Sequence, residues 1–592
     1  MHPRRSNHVR RALPHDYVAL RGLSLCAALA LSLITVGCAK DAATNASAAT
    51  HAPVATTASA STNTAADMHT TAVSTANAAP PLPGLLSLAK ACSPQSLAAV
   101  GLNHADVKTA ELIPAGAYTP VEGRPALTNL PSFCRITAEA MPTSDSLIRF
   151  ELWVPADQWN GKLVATGNGG YSPELNYGDM AYAMREGYAV LGGDSGHQSK
   201  DPNDMMFAVG HPQKIIDWGT RSVHAITVPG KQILADLMAR PASRSYYYGC
   251  STGGHQAYAE VQRFPDDFDG VIAGDPGNNR VALNAEFLWR FLANHAPNDN
   301  VHPILTPAKV ALVSRAAVAA CDSLDGVTDG VIADPRMCTR DKFNIDSLRC
   351  KAGDAADCLT DAQIEAVKQI YRGPVDPVTH AILYPGPVVG SESTWGSYWG
   401  KDVPVRADFW RYWAFNDPSW NWWSFDYHRD YQTALAKLGP LVDQNNPDIS
   451  EFKSHGGKLI TYQGWADPVV NPLDTIAYYD KVKTLQGSQR ETDAFFRLYM
   501  VPGMAHCMGG VGQTSFGNQG APAPVIDASH DVISALDRWV TQGVAPEQIV
   551  ASEVKNGAVV STRPLCPYPK RAVYDGHGDT RLAASYACGW SE

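Results

Sequence analysis

Tyr246-Tyr247-Tyr248-Gly249-Cys250-Ser251-Thr252-Gly253-Gly254-His255 reads as a strand that stops at a G-x-S-x-G turn and restarts as a helix. Such a turn pushes a serine hydroxyl clear of the backbone, and glycines at 249 and 253 let the flanking elements pack close. The motif by itself is weak, because long chains contain it by chance. Its surroundings strengthen it. Upstream, Ile148–Val154 alternates like a strand, Leu163–Tyr171 runs from a strand into a glycine-rich loop, and Tyr188–Gly192 is a short apolar strand. Ile215–Leu237 reads as a helix closed by Pro241. Downstream come a helix over Gly253–Arg263 and a strand over Phe268–Ala273. Strands alternating with helices predict an α/β fold with a largely parallel sheet.

After about residue 278 the pattern changes. Pro307–Cys321 and Asp361–Tyr371 look helical, and seven tryptophans fall between Trp395 and Tyr427. Strand patterns return at Lys458–Tyr462 and Phe496–Val501, followed by an amphipathic helix over Val525–Gln542. The spacing predicts one α/β domain, 82–277 and 446–592, interrupted by a domain-sized insert. The first part opens on a helical pattern over Leu82–Val100.

The N-terminus has a different purpose. Arg4, Arg5, Arg10 and Arg11 precede the apolar run Leu23–Val36, which is short for a membrane span and reads as an export signal. It ends at Gly37-Cys38, which resembles a bacterial lipoprotein cleavage site, although Thr35 stands where leucine is usual. A lipid anchor at Cys38 and ordinary signal-peptidase cleavage nearby are the two alternatives. Both place the chain outside the cytoplasm: periplasmic, on the outer membrane, or secreted. Residues 39–81, mostly Ala, Thr, Ser and Asn, have little apolar surface to bury and read as a disordered tether. Over the whole chain, 45% hydrophobic and 18% charged residues are those of a globular protein, and a net charge of −10 argues against a nucleic-acid partner.

A serine hydroxyl needs a base to take its proton and a third group to orient that base. In the α/β-hydrolase plan the order is serine, acid, histidine, each just past a strand. Behind Lys458–Tyr462 comes Asp467, and behind Phe496–Val501 comes His506. Alone, Asp467 would be a turn residue before proline and His506 a loop histidine. Together, in order and behind strands, they predict a triad of Ser251, Asp467 and His506. Asp275 also follows a strand, in the less usual position for the acid. His255, on the elbow helix, is expected to line the site without acting as base. The developing oxyanion needs two backbone N–H groups. Thr252 and Gly170, the latter in Gly167-Asn168-Gly169-Gly170, are the candidates.

Removing Cys26 and Cys38 leaves ten of the 12 cysteines, an even number in an exported chain, and no C-x-x-C spacing of a zinc site. Sequence neighbours suggest Cys92–Cys134, Cys321–Cys338, Cys350–Cys358 and Cys566–Cys588, although spacing does not fix connectivity. Cys250 and Cys507 remain. One adjoins the serine and the other the histidine, so contact between Ser251 and His506 would bring the two thiols within bonding reach; two separate buried thiols are the alternative. Finally, Asp322, Asp325 and Asp329 crowd a glycine-broken loop. Oxygen donors alone favour calcium before magnesium, and the carbonyls of Val327 and Val331 would complete the shell of a structural Ca2+. The bland reading is a solvated acidic turn.

Gly249-Cys250-Ser251-Thr252-Gly253-Gly254, Asp467, His506-Cys507 and the aspartate-rich loop together resemble the tannase and feruloyl esterase family, which includes the bacterial mono(2-hydroxyethyl) terephthalate hydrolase. The likeness runs from about Leu82 to Trp590. It implies an α/β-hydrolase core, a lid over about 278–445 carrying the calcium site, five disulfides including Cys250–Cys507, and hydrolysis of small aromatic carboxylic esters. Trp395, Tyr398 and Phe415 are then expected to touch the aromatic ring. The terephthalate-monoester enzyme grips its free carboxylate with a lid arginine. The matching position here falls near Val403, with Arg406 and Arg411 as nearby substitutes. A ferulate or gallate ester therefore fits at least as well as a terephthalate monoester. The rival class is a non-catalytic envelope binding protein on a hydrolase scaffold, against which the complete triad argues.

Overall fold

The computed structural model describes residues 88–590 apart from 89, 99, 172, 173, 200 and 202. The export signal, the tether and Cys38 lie outside the described residues.

Nine strands form the central sheet: β1 (Ala105–Ile113), β2 (Phe133–Ala140), β3 (Ile148–Pro155), β4 (Lys162–Thr166), β5 (Ala189–Gly193), β6 (Arg244–Cys250), β7 (Gly270–Gly274), β8 (Lys458–Gly464) and β9 (Phe496–Val501). Their order is β1-β2-β3-β5-β4-β6-β7-β8-β9. The β1–β2, β2–β3 and β3–β5 pairs are antiparallel; from β5 to β9 all neighbours are parallel. This is the α/β sheet expected from the alternation of strand and helix patterns. The serine strand β6 lies between β4 and β7, so its C-terminal end opens beside the loops that leave β4, β7 and β8.

Side-chain alternation assigns the two faces of the sheet. Leu163, Ala165, Tyr247, Val271 and Ala273 join one apolar layer, while Val164, Tyr246, Tyr248, Ile272 and Tyr462 join the other. Both layers are buried, which fits strands covered on both sides. Five disulfides join Cys92–Cys134, Cys250–Cys507, Cys321–Cys338, Cys350–Cys358 and Cys566–Cys588.

Between Gly274 and Lys458 the chain leaves the sheet and builds four helices of ten or more residues, Arg280–Ala293, Pro307–Cys321, Asp361–Arg372 and Arg429–Val442. Two apolar clusters anchor this excursion. One unites Tyr171 and Trp218 of the core with Phe287, Trp410, Trp413, Val469 and Val470. The other, inside the excursion, gathers Leu305, Val313, Ile364, Val367, Trp395 and Trp399. The approach to the core is close: a Cβ on Gly219 would lie 2.3 Å from the Leu441 carbonyl oxygen.

Three helix boundaries differ from the sequence reading. The C-terminal helix is Val532–Gln542, not Val525–Gln542, because Asp531 accepts from the Ser534 N–H and starts it. The helix before β6 is broken by a wide turn at Asp217–Arg221 and ends at Ala239, which takes the left-handed conformation (φ 53°) before Pro241 is reached. In the stretch read as helical up to Val100, Leu88, Lys90 and Ala91 are helical, and after a bend at 92–93 a short helix, Pro94–Leu97, starts from the cap Ser93.

Candidate active site

Ser251 follows β6 directly and sits at φ 62°, ψ −114°, outside the regions a side chain favours. Three backbone bonds hold it there. Its N–H donates to Gly274 O at 3.0 Å, and its carbonyl accepts from His255 N at 3.0 Å and Gly277 N at 3.3 Å. The turn tolerates nothing larger than glycine before it, since a Cβ on Gly249 would lie 2.8 Å from the Gly253 Cα.

The loops after β8 and β9 bring the other two groups to this hydroxyl. His506 Nε2 lies 2.8 Å from Ser251 Oγ, and His506 Nδ1 lies 2.8 Å from Asp467 Oδ2. The second oxygen of Asp467 accepts from Val469 N at 2.7 Å and Val470 N at 3.1 Å, which fixes the carboxylate. A carboxylate only accepts, so the ring proton belongs on Nδ1 and Nε2 is free to receive the serine proton. Asp467 is buried, while the His506 ring keeps 15% exposure. Cys250 and Cys507, bonded with Cα atoms 5.9 Å apart, tie the two loops one residue from the contact.

Thr252 opens the elbow helix, where N–H groups lack intrahelical partners. Its hydroxyl donates to Gly170 O at 2.7 Å, and the Asn168 N–H donates to Gln256 Oε1 at 3.1 Å, so the glycine loop is seated on the same helix end. Gly170 takes φ 57°, a left-handed conformation that suits glycine.

Two arginines come in from the excursion. Arg280 reaches Thr252 Oγ1 at 3.4 Å and stacks on Trp218. Arg406, at φ 61°, lies over Phe287 at 4.5 Å and Tyr171 at 5.5 Å. Both are buried, and Nε and Nη1 of Arg406 and Nε of Arg280 meet no hydrogen-bond partner among the described residues. Burial pushes the Arg280 guanidinium down to about 10, with the Arg406 charge adding to the shift, and burial also lowers that of Arg406. Arg411 instead pairs with Asp408 at 3.4 Å and lies over Trp422.

The expected substrate contacts divide. Tyr398 is close enough to the site that the Asp467 charge adds to burial in raising its hydroxyl, with Arg406 opposing. Phe415 packs against Trp420 and Trp410 at 5.5 and 6.1 Å, on the rim of the core–excursion cluster. Two expectations need correcting. His255 is fully buried; its Nε2 bonds Val442 O at 2.8 Å, its ring stacks on Trp218, and burial holds it well below the usual imidazole range. It supports the elbow helix and presents no face to a ligand. Trp395 is also fully buried, bonded to Ser391 Oγ at 3.0 Å inside the excursion's own cluster. Sequence reading missed Arg280, Gln463 and Gln256. A single arginine or glutamine in a helix or strand carries no pattern that sets it apart.

In the acidic loop, Asp322 accepts from Gly330 N at 3.0 Å, Asp325 from Val327 N at 3.0 Å and Asp329 from Val331 N at 3.1 Å. The buried Arg563 guanidinium bonds Asp329 at 2.8 Å and stands 3.8 Å from Asp325. Burial pushes the Asp325 and Asp329 carboxyls up, and neighbouring acids add to this while the Arg563 charge opposes it. Two of the three carboxylates thus face a guanidinium, and the three do not bring ligand atoms within 4.8 Å of one another.

The sheet, the strained serine and the histidine behind it define an α/β-hydrolase, and its relatives make it a carboxylic ester hydrolase. The chain belongs to the tannase and feruloyl esterase family, whose model matches residues 134–589. It is 35% identical over 537 residues to an uncharacterized esterase of Xanthomonas campestris pv. campestris, covering 85% of this chain and 92% of that one. It is 34% identical over 470 residues to feruloyl esterase C of Talaromyces stipitatus, covering 78% and 86%. Among solved structures, feruloyl esterase B from Aspergillus oryzae superposes with a TM-score of 0.79 at 30% identity, covering 85% of this chain and all (100%) of that one. Tannin acyl hydrolase from Aspergillus niger shares the fold, with a TM-score of 0.68 at 21% identity, covering 85% and 94%.

Proposed function

We propose that this chain hydrolyses aromatic carboxylic esters of the feruloyl (hydroxycinnamoyl) or galloyl type through an acyl-enzyme. The observation that carries the reading is the continuous hydrogen-bonded line Ser251 Oγ–His506–Asp467, with both contacts at 2.8 Å. Relatives named feruloyl esterase support the substrate class.

Ser251 Oγ attacks the ester carbonyl carbon as its proton passes to His506 Nε2. Asp467, holding Nδ1–H, stabilises the imidazolium and keeps the ring in this orientation. The Thr252 and Gly170 N–H groups receive the negative charge that develops on the carbonyl oxygen. His506 then hands its proton to the leaving alcohol. Water enters, gives a proton to the same nitrogen and attacks the acyl-enzyme. The acid leaves and Ser251 regains its proton, so atoms and charge balance over the cycle.

Ser251→Ala should abolish turnover of methyl ferulate and methyl gallate while the variant melts like the parent. Labelling of the parent by a fluorophosphonate, absent in the variant, separates an esterase from a binding protein on the same scaffold. Turnover retained by Ser251→Ala would remove the assignment.

A second reading has its own observation. Arg406 is a buried guanidinium with two nitrogens that meet no hydrogen-bond partner among the described residues, and a carboxylate on the substrate would satisfy it. That favours an aromatic ester with a free acid group, as in mono(2-hydroxyethyl) terephthalate.

The proposal also takes residues 278–445 as a lid over Ser251, with Ca2+ held by Asp322, Asp325, Asp329 and the carbonyls of Val327 and Val331 as a structural ion. Export through the N-terminal segment agrees with five disulfides, which mature where thiols are oxidised.

A further inference from the structure

A second buried carboxyl stands behind the triad. Asp275 is the first residue after β7, fully buried and in left-handed backbone at φ 34°. A non-glycine residue stays there only when its surroundings fix it. Its N–H donates to Tyr462 O of β8 at 2.9 Å. Its Oδ1 accepts from Gly464 N at 2.7 Å and Gln463 Nε2 at 2.8 Å. Its Oδ2 accepts from Cys507 N at 2.9 Å and lies 3.4 Å from Cys250 Sγ. One carboxyl therefore reaches the strand end that precedes Asp467, the residue that follows His506, and the disulfide beside Ser251.

Gln463 extends the link. The same Nε2 that bonds Asp275 lies 3.3 Å from Asp467 Oδ2, the oxygen that receives the histidine. One oxygen of Asp275, one of Asp467 and a ring nitrogen of His506 all fall within 4.8 Å of one another. Asp275 and Asp467 are 0% and 1% exposed. Two carboxylates that close and that dry do not both ionise unless a cation stands between them. Before reaction the imidazole is neutral and offsets neither.

We infer that Asp275 is a positioning residue of this centre: its carboxyl clamps the loops of Asp467 and His506 together and shares one proton with the Asp467 carboxyl. The inference rests on the triad reading above. Burial first, then the charge of Asp467, pushes the Asp275 carboxyl well above the usual range, while the Gly464 and Cys507 N–H bonds oppose. The titratable groups facing it among the described residues are Asp467, His506 and Tyr462. The pair then carries one negative charge through the cycle, and the imidazolium formed on attack meets one charge rather than two. The shared proton stays within the pair.

Asp275→Asn and Asp275→Ala, made in the full chain, test this beside the parent and Ser251→Ala. Asparagine keeps the shape but turns an NH2 toward either Gly464 N–H or Cys507 N–H, which breaks one arm of the clamp. The expected result for Asp275→Asn is cooperative melting, a kcat lower by about 10- to 100-fold and a KM within about threefold, because misplacing the base harms the reaction more than binding. The acidic limb of kcat/KM against pH should stay within about half a unit of the parent, since the count of negative charges is unchanged. If kcat is unchanged in Asp275→Asn, the clamp is wrong. If the acidic limb falls by about one unit or more, a second negative charge has been removed and the shared proton is wrong. Asp275→Ala, should it fold, repeats the kcat test without the amide. A parent that turns over no ester, or a Ser251→Ala that does, defeats the triad reading instead, whatever Asp275 does.

Discussion

Cys250 and Cys507 are bonded, and each is the chain neighbour of one partner in the 2.8 Å contact between Ser251 and His506. The crosslink spans 257 positions and includes the whole excursion in its loop. In the chain-entropy model, closing a loop of that length stabilises by about 5 kcal/mol, with measured gains often smaller. Cys250→Ser/Cys507→Ser should therefore lower the melting temperature by several degrees or more in differential scanning calorimetry. Turnover per folded molecule should fall as well, since the two loops lose their tie beside the reacting atoms. A double variant with parent stability and parent kcat would show that the remaining contacts hold the site unaided.

The acidic loop gives a prediction of a different kind. If Asp322, Asp325 and Asp329 hold Ca2+, chelation should lower the melting temperature and added calcium should restore it. Magnesium should restore it less, because it prefers fewer, stricter ligands. The measurement is thermal melting in EGTA, with and without each ion. Asp329→Asn, which loses a carboxylate but keeps Val331 N–H bonded, should melt lower than the parent in calcium and respond less to EGTA. No response to EGTA by the parent would return the loop to an Arg563-paired acidic turn.

Much of this architecture was legible in the sequence because it is local. Strand edges announce themselves by alternation, so β6, β8 and β9 fall within two residues of the reading, and just past them stand Ser251, Asp467 and His506. The cysteines beside Ser251 and His506 made the Cys250–Cys507 bond a question the sequence could pose. What stayed hidden depends on contacts far apart in the chain. His255 looks like a site residue from its place on the elbow helix, yet Val442, 187 positions away, takes its Nε2 and Trp218 covers its ring. Trp395 sits among seven tryptophans that look alike in sequence, and only the fold tells which are core. Arg280 and Gln463 show no motif; their roles come from where β7, β8 and the excursion meet. The early start read for the helix at Val525 overlooked the capping aspartate, Asp531, a signal that was present.

Asp194 provides a pH test of stability. Its buried carboxyl is pushed up to about 7 by desolvation, only partly opposed by Gly196 N–H, Arg149 N–H and the Arg149 charge. The folded-state value lies above the unfolded one, so the folded protein holds this proton longer than the unfolded chain. Stability from the group is complete at low pH and is lost as pH rises from about 4 towards 7. In Asp194→Asn that loss is absent. Both backbone N–H bonds land on Oδ1, at 2.9 and 3.0 Å, and Oδ2 has no hydrogen-bond partner among the described residues, so the amide oxygen can take the Oδ1 place and keep both bonds. The variant's melting temperature relative to the parent should rise between pH 5 and pH 8, by roughly 1–3 kcal/mol equivalent after the Arg149 pair at 3.7 Å is given up. A difference that stays flat or falls with pH would mean Asp194 is ionised throughout.

Arg406 decides between the two substrate readings. Its guanidinium is buried beside Tyr171 and Phe287, and Arg280 stands close enough for the two charges to oppose each other. Leaving such a group unpaired is costly, and a ligand carboxylate is the natural partner; a neutral ester offers only neutral acceptors. Replacement by leucine removes the charge and relieves Arg280 of a like neighbour. For a terephthalate monoester or another ester with a free acid, Arg406→Leu should raise KM and lower kcat/KM by about 10-fold or more, the loss of one buried charge-assisted pair of about 1.5–3 kcal/mol. For methyl ferulate the change should be within about threefold, since no charge is matched. Lysine at 406 should recover part of the acid-bearing activity but not all, lacking the planar two-nitrogen fork. Steady-state kinetics on the two esters, parent against both variants, reads this directly. Equal losses on both substrates would make Arg406 a support for Tyr171 and Phe287, and leave the neutral feruloyl ester as the better description of what this site takes.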